Sequence, residues 1–285
     1  MMMKKLTLFV AFGVITSLAQ AQKASEALQK MIATERAFAQ MSLDKGTKMA
    51  FSTFFAPSGV TFQNNLPING QLHWQKQPED KGKLKWVPVY GNIASAGDLG
   101  FTTGPWAYFT RRTDASPNAT GSFVTIWKKQ PDGTWKVALD LGVGHSALPE
   151  TAFMAATKLG GKPISQDTSL IKAALMSTDY LFSKAIQNDD VLKVYESYLS
   201  NDVRLYRYGS QPIMQKNEAL KILIKPSQKI KFEPLGGGVS AQGDLGYVYG
   251  SASVGDKAGN YLRVWRRAGK REWEIILDLA TLPVE

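Results

Sequence analysis

The 285-residue chain has no cysteine and only two histidines, His73 and His145. The first absence excludes a disulfide framework and lipid attachment at a cysteine. Together they leave too few soft ligands for the usual zinc sites, and no dense acidic motif suggests a calcium or magnesium loop. Neither a metal nor a cofactor is expected. Long apolar runs are equally scarce: the stretch from Leu6 to Leu18 is shorter than the roughly 20 residues of a membrane span. The chain is basic, with a net charge of +10, yet it lacks a contiguous basic stripe. Its cations come in small groups such as Lys128-Lys129, Arg266-Arg267 and Lys270-Arg271. A nucleic-acid partner is therefore not expected, and the charge reads as solvated surface. Gly236-Gly237-Gly238 is followed by neither Lys-Ser nor Lys-Thr, so it is no phosphate loop; it reads as a bend before the strand at Leu245.

What is present begins with a short basic start through Lys5, the apolar run, and Ala19-Gln20-Ala21. That order is the pattern of a secretory signal peptide over residues 1–21, cleaved after Ala21. The mature chain is then periplasmic or secreted, with no membrane span and with Lys4 and Lys5 removed.

The remainder contains one pattern written twice. Gly97-Asp98-Leu99-Gly100-Phe101 returns as Gly243-Asp244-Leu245-Gly246-Tyr247. Gly121, Phe123, Trp127, Trp135 and Asp140 return, at one common offset, as Gly259, Tyr261, Trp265, Trp273 and Asp278. Thr34-Glu35 and Phe38 match Thr178-Asp179 and Phe182. Ordered matches with gaps confined to turn-rich stretches are the mark of a tandem repeat. The units span 23–148 and 169–285. Residues 149–168 read as a linker that allows a short helix over 151–158.

Each unit opens with apolar residues at helical spacing, Leu28, Met31, Ile32 and Phe38 in the first and Ile171, Leu175, Phe182 and Ile186 in the second. A second short helix is predicted around 48–55 and 191–199. Period-two patterning follows, with Pro131-Asp132-Gly133 and Ala268-Gly269-Lys270 as hairpin turns. The fold class is α+β, helices lying on a mostly antiparallel sheet.

The series of helix, helix, strand, Gly-Asp-Leu-Gly-aromatic, aromatic-x-x-x-Trp and Trp-x-x-x-x-Asp resembles the nuclear-transport-factor-2-like superfamily. More narrowly, it resembles a domain-of-unknown-function group near the SnoaL-like and ketosteroid-isomerase-like proteins. The resemblance implies two cone-shaped units, each with a curved sheet wrapped around its helices and an apolar pocket at the wide end. It also implies pairing through the outer sheet faces, which two copies on one chain could achieve as an intramolecular pseudo-dimer. The position of the isomerases' carboxylate base falls on Gln63 in the first unit and Arg207 in the second. Neither removes a carbon-bound proton as a carboxylate does.

Candidate acids are Glu35 and Asp179, matched at the edge of the first helix's apolar stripe, and Asp140 and Asp278, matched at the end of the last strand. Each has a plain structural alternative: a surface ion pair for the first two and a turn cap for the others. Asp98 and Asp244 read as turn residues. His145, on a glycine-rich tail, is a candidate only if an acid such as Asp140 stands beside it. The ligand-contacting candidates are aromatic or cationic strand residues: Trp106, Tyr108 and Trp127 in the first unit, and Tyr247, Tyr249, Arg263 and Trp265 in the second. Arg263, where the first unit has Thr125, points to polar recognition by the second unit, with the first as scaffold.

Three functions are compatible with these residues. The leading one is an exported protein binding a small, mostly apolar molecule. The others are a cofactor-free lyase, isomerase or hydrolase using a pocket carboxylate, and a partner-binding protein with filled pockets. A solvent-accessible cavity with a carboxylate at its base favours the second, a cavity without one the first, and a filled cone the third. The export reading has a direct check: N-terminal sequencing of protein secreted by its own host is expected to begin at Gln22, and a sequence beginning at Met1 would refute cleavage.

Overall fold

The computed structural model describes residues 3–149, 154–155, 161, 164, 166–223, 229–268 and 272–283. The first unit comprises α1 (Met3–Lys45), α2 (Thr47–Phe54), β1 (Phe55–Gln63), β2 (Leu66–Asn69), α3 (Gly70–Lys76), β3 (Lys83–Trp86), β4 (Tyr90–Ile93), β5 (Leu99–Phe109), β6 (Ala119–Lys129) and β7 (Trp135–Gly144). The two-residue β8 (Met154–Ala155) pairs with β4. The second unit comprises α4 (Thr168–Asn188), α5 (Val191–Tyr198), β9 (Leu199–Tyr208), β10 (Ser210–Ile213), α6 (Lys216–Leu223), β11 (Lys231–Val239), β12 (Leu245–Val254), β13 (Lys257–Arg267) and β14 (Trp273–Pro283). The strand orders correspond: β2-β1-β7-β6-β5-β4 in one sheet and β10-β9-β14-β13-β12-β11 in the other. In both, the first strand runs parallel to the last while the central pairings are antiparallel. No helix among the described residues is long and apolar enough to cross a membrane.

Helix starts follow ordinary capping chemistry. Asn69, Asp167 and Asp190 each accept a backbone N–H from the first turn of α3, α4 and α5, satisfying donors the helix itself leaves open. Gly46, at φ 89°, separates α1 from α2. The inward face of α1 carries Leu28, Met31, Ile32 and Phe38 against the first sheet. Ile171, Leu175, Phe182 and Ile186 of α4 do the same in the second unit.

Side-chain alternation sends the other face of each sheet toward its partner. On β6, Phe123 and Trp127 point to the helices while Val124 and Ile126 point away. On β13, Tyr261 and Trp265 are split in the same way from Leu262 and Val264. The outward sets of the two sheets meet in one shared core containing Val124, Ile126, Leu139, Leu262, Val264 and Leu279. Polar exchange frames this core. Asp98 Oδ2 accepts the Ala241 N–H at 2.8 Å, and Asp244 Oδ2 accepts the Ser95 N–H at 2.7 Å. Under the repeat these bonds are each other's counterparts, as a two-fold interface requires. Thus the two aspartates read as turn residues reach across to the opposite unit, although Asp244 also bonds Ser240 Oγ within its own turn.

Two further expectations change, and a third lies outside the described residues. Gly236-Gly237-Gly238 lies within β11 rather than forming a bend, because Tyr247 and Tyr249 of β12 lie over it: a Cβ on Gly236 would stand 2.4 Å from Tyr249 Oη, and one on Gly238 would stand 2.7 Å from the Tyr247 ring. Met154–Ala155 is a strand rather than helix, and the rest of the helix predicted over 151–158 lies outside the described residues. The expected turn at Ala268 likewise continues into Gly269 and Lys270, outside the described residues.

Because both sheets contribute to one core, the two units are expected to unfold together. Leu279→Ala, which empties a fully buried position in that core, should lower stability by about 2–5 kcal/mol. Urea denaturation should show a single transition displaced to lower concentration, whereas two separated transitions would mean that the sheets are energetically independent.

Candidate functional site

The helices and the inward sheet face of the first unit enclose a cavity of about 400 Å³. Its walls are aromatic and aliphatic: Phe38 and Phe51 from the helices, Trp74 from α3, and Trp86, Trp106, Tyr108 and Phe123 from the strands. Asp140 is the carboxylic acid on this wall.

A β-bulge places it there. On β7, Trp135 and Val137 face the helices, and strict alternation would send Leu139 inward with Asp140 outward. The register with β6 shifts between Ile126 and Trp127, leaving Ala138 as the extra residue. Parity then reverses, Leu139 joins the inter-unit core, and Asp140 turns into the cavity. An inserted strand residue has this effect on every side chain beyond it. The second unit repeats the shift between Val264 and Trp265, turning Asp278 inward.

Asp140 Oδ2 accepts the Thr125 hydroxyl at 2.8 Å. Desolvation among apolar walls raises its pKa to about 7, against the lowering effect of the Thr125 bond, and the nearby Glu35 adds to the rise. The side chain keeps some exposure because it borders the cavity. It is therefore an acid near its midpoint at neutral pH, accessible to an enclosed molecule. Trp74, also on the wall, has a buried indole N–H with no partner among the described residues.

Glu35 is elsewhere. It sits in the middle of the apolar stripe of α1 rather than at its edge, and is completely buried. Trp86 Nε1 donates to it at 2.6 Å, Trp127 Nε1 at 2.9 Å and Thr102 Oγ1 at 2.5 Å. Burial raises its pKa, with these donors pulling the other way. Its oxygens are engaged, and it does not line the cavity. Trp127 is likewise a buried donor and not a wall residue.

The interior of the second unit is occupied by its own side chains. Asp179 accepts Tyr261 Oη at 2.6 Å, Trp265 Nε1 at 3.1 Å and Arg263 Nη1 at 3.2 Å. Asp278 receives Arg263 Nε at 3.4 Å and Arg207 Nη1 at 3.2 Å. Burial alone would raise the Asp278 pKa, but the two guanidinium charges hold it below the ordinary carboxylate range. Arg263 also lies over the rings of Phe232 and Tyr261, 4.1 and 4.5 Å from their centroids. Its 0% exposure shows why it recognises no outside molecule in this arrangement. The aromatic-walled cavity belongs to the first unit, and Arg263 and Trp265 are buried in the interior of the second.

Tyr247 and Tyr249 stand on the opposite face of their sheet, against the inter-unit core. His145 is paired with Ser122, Nε2 to Oγ 2.8 Å, while its Nδ1 meets the Ser146 carbonyl at 2.7 Å. This is the connectivity of a nucleophile and base, but Ser122 is 1% exposed, points away from the cavity and has no room for a substrate. Asp140 is not beside it. Trp106, Tyr108 and Asp140 are the sequence candidates that the cavity brings together. Phe38, Phe51, Trp74, Leu84, Trp86 and Phe123 are among the further residues of its wall.

No protein-family model matches the chain, and no curated protein matches it significantly. Among solved structures, it is similar to a nuclear-transport-factor-2-like protein from Cytophaga hutchinsonii at 17% identity, covering 39% of this chain and 96% of that one, with a TM-score of 0.33. It is also similar to a nuclear-transport-factor-2-like superfamily protein from Salmonella enterica at 16% identity, covering 44% and 95%, with a TM-score of 0.34. A protein of unknown function from Pectobacterium atrosepticum is similar at 16% identity, covering 42% and 98%, also with a TM-score of 0.34.

The position of Asp140 sets a pH dependence with a definite sign. Its folded pKa of about 7 lies above the roughly 3.9 of an unfolded aspartate. The stability contributed by the neutral carboxyl is fully present below the unfolded value and is lost as pH rises through the folded one. Asp140→Asn removes this loss. Urea unfolding at about pH 4 and about pH 8 should show the variant gaining on the wild type at the higher pH; an unchanged difference would contradict the assigned environment.

Proposed function

We propose that the first unit binds one small, mostly apolar molecule, that Asp140 orients it through a hydrogen bond, and that the second unit serves as scaffold. The observation that carries this reading is the cavity of about 400 Å³ in the first unit, walled by aromatic rings around one carboxylic acid. A volume of this size suits a small ligand, and few polar groups in an apolar cavity fix orientation more than they supply affinity. The unpartnered Trp74 N–H supports a ligand that also carries an acceptor. Export through the N-terminal signal belongs to the same proposal.

A second reading is favoured by one specific feature, the pKa of Asp140 near neutrality. A lone acid at its midpoint suits proton transfer within a bound molecule: it takes a proton from one carbon and returns it to another, so the product is an isomer and no cofactor is consumed.

Native mass spectrometry of protein purified from its own host is expected to reveal a co-purifying small molecule. Trp106→Ala should weaken its retention by about tenfold or more, since it removes a large aromatic wall. Asp140→Asn then separates the readings. A binding protein keeps most of its affinity in that variant, whereas an isomerase keeps binding and loses turnover. An empty wild-type protein whose cavity also rejects apolar probes would overturn both.

A further inference from the structure

The paired sheets are two-fold related in topology but not in how the ends of their interface are filled. Val60 and Arg204 occupy matching places on β1 and β9, opposite Leu139 and Leu277. Tyr90 and Gly236 match on β4 and β11, opposite Thr103 and Tyr249. At one end, Arg204 lies 3.5 Å from the centroid of the Tyr90 ring and closes the junction. At the other end both members of that pair are smaller, valine for arginine and glycine for tyrosine. There the interface opens into a crevice of about 690 Å³.

The walls of the crevice are chemically divided. Tyr247 and Tyr249 form an aromatic floor, their rings 6.5 Å apart and inclined by 19°. The glycines of β11 allow this, since any side chain at Gly236 or Gly238 would collide with those rings. Neither phenol has a hydrogen-bond partner among the described residues. Lys128, Lys129 and Lys172 also border the crevice, are exposed, and make no salt bridge among the described residues. Asp98 is the acid on the wall, and its Oδ2 is already committed to the Ala241 N–H. Three lysines against one carboxylate, whose Oδ1 is buried with no hydrogen-bond partner among the described residues, give the crevice a positive potential, and its concave walls concentrate that field.

We propose that this crevice is a second ligand site, separate from the cavity of the first unit, and that it takes a small organic anion with a flat aromatic body. The ring stacks on Tyr247 and Tyr249, the anionic end faces the lysines, and the phenols supply hydrogen bonds. Clefts between packed units are common places for such sites. The proposal is independent of what the cavity binds, because the two sites lie on opposite faces of the first sheet.

The test is an NMR titration of the full-length mature protein with 2-naphthoate, with the uncharged 2-naphthol as comparison. Shifts are expected at Tyr247, Tyr249 and Lys128. The double variant Lys128→Gln, Lys172→Gln should weaken naphthoate binding by about tenfold or more, with little effect on folding because both side chains are exposed. Val60→Trp, which fills the crevice without changing charge, should abolish binding. Naphthol should bind at least about tenfold more weakly than naphthoate. Shifts confined to Trp106 and Phe123 would place the anion in the cavity and overturn the proposal. So would an unchanged affinity in the double lysine variant, or no shift at up to about 10 mM ligand, which is weaker than any useful site. Inorganic phosphate binding the crevice as tightly as naphthoate would remove the aromatic half of the assignment.

Discussion

A carboxylate between a helix and a sheet is destabilising unless its oxygens meet donors, because burial strips away its water. This chain places one there in each unit and satisfies it with an indole. Trp127 donates to Glu35, and Trp265 donates to Asp179. The indole is planar and fixed by the surrounding rings, so the bond sets both the rotation and the depth of the first helix over its sheet. The two units then diverge in what else reaches the acid. In the first, Trp86 and Thr102 complete the shell and leave the space beyond Phe123 open. In the second, Tyr261 replaces Phe123 and Arg263 replaces Thr125, and both turn toward Asp179. The same anchor thus supports a cavity in the first unit and, in the second, a buried arginine cluster around Asp179 and Asp278.

Much of this architecture was legible in the sequence. The repeated Gly-Asp-Leu-Gly and Trp motifs located both sheets, and helical spacing located α1, α2, α4 and α5 because each buries one apolar stripe. The short helices α3 and α6 and strands β2, β3, β4, β8 and β10 were missed: strands of two to four residues carry no period, and α3 and α6 lie between strands in stretches read as period-two. Gly236-Gly237-Gly238 was misread for a physical reason. Glycine signals backbone freedom, but here it marks the close approach of two tyrosine rings from the next strand, which depends on pairing that sequence does not display.

The site was harder to read than the fold. Asp140 was identifiable as a matched acid, but it and Asp278 stand in the middle of β7 and β14 rather than at their ends. The bulge at Ala138 that aims Asp140 inward leaves only a weak trace in the apolar run Val137-Ala138-Leu139. Glu35 and Asp179 lie on the lines Met31-Glu35-Phe38 and Leu175-Asp179-Phe182, which run through the centre of the buried stripe. That spacing was available, and it indicates burial more directly than a surface pairing. Arg263 illustrates the opposite difficulty. A cation within an aromatic strand suggests recognition until both acids that neutralise it, Asp179 and Asp278, are seen to lie in the same unit.

The exchange of Asp98 and Asp244 between the sheets has a consequence for how such a molecule changes over time. In a dimer of identical chains every substitution at the interface is made twice, and the pair dissolves on dilution if the change is unfavourable. Joining the halves fixes the local concentration of each partner through the connecting chain. One half can then carry Arg204 where the other carries Val60, and one can bury Arg263 where the other has Thr125, without either losing its neighbour. Dilution has no purchase on a contact whose two sides are covalently joined, so asymmetry that would dissociate a dimer can accumulate here.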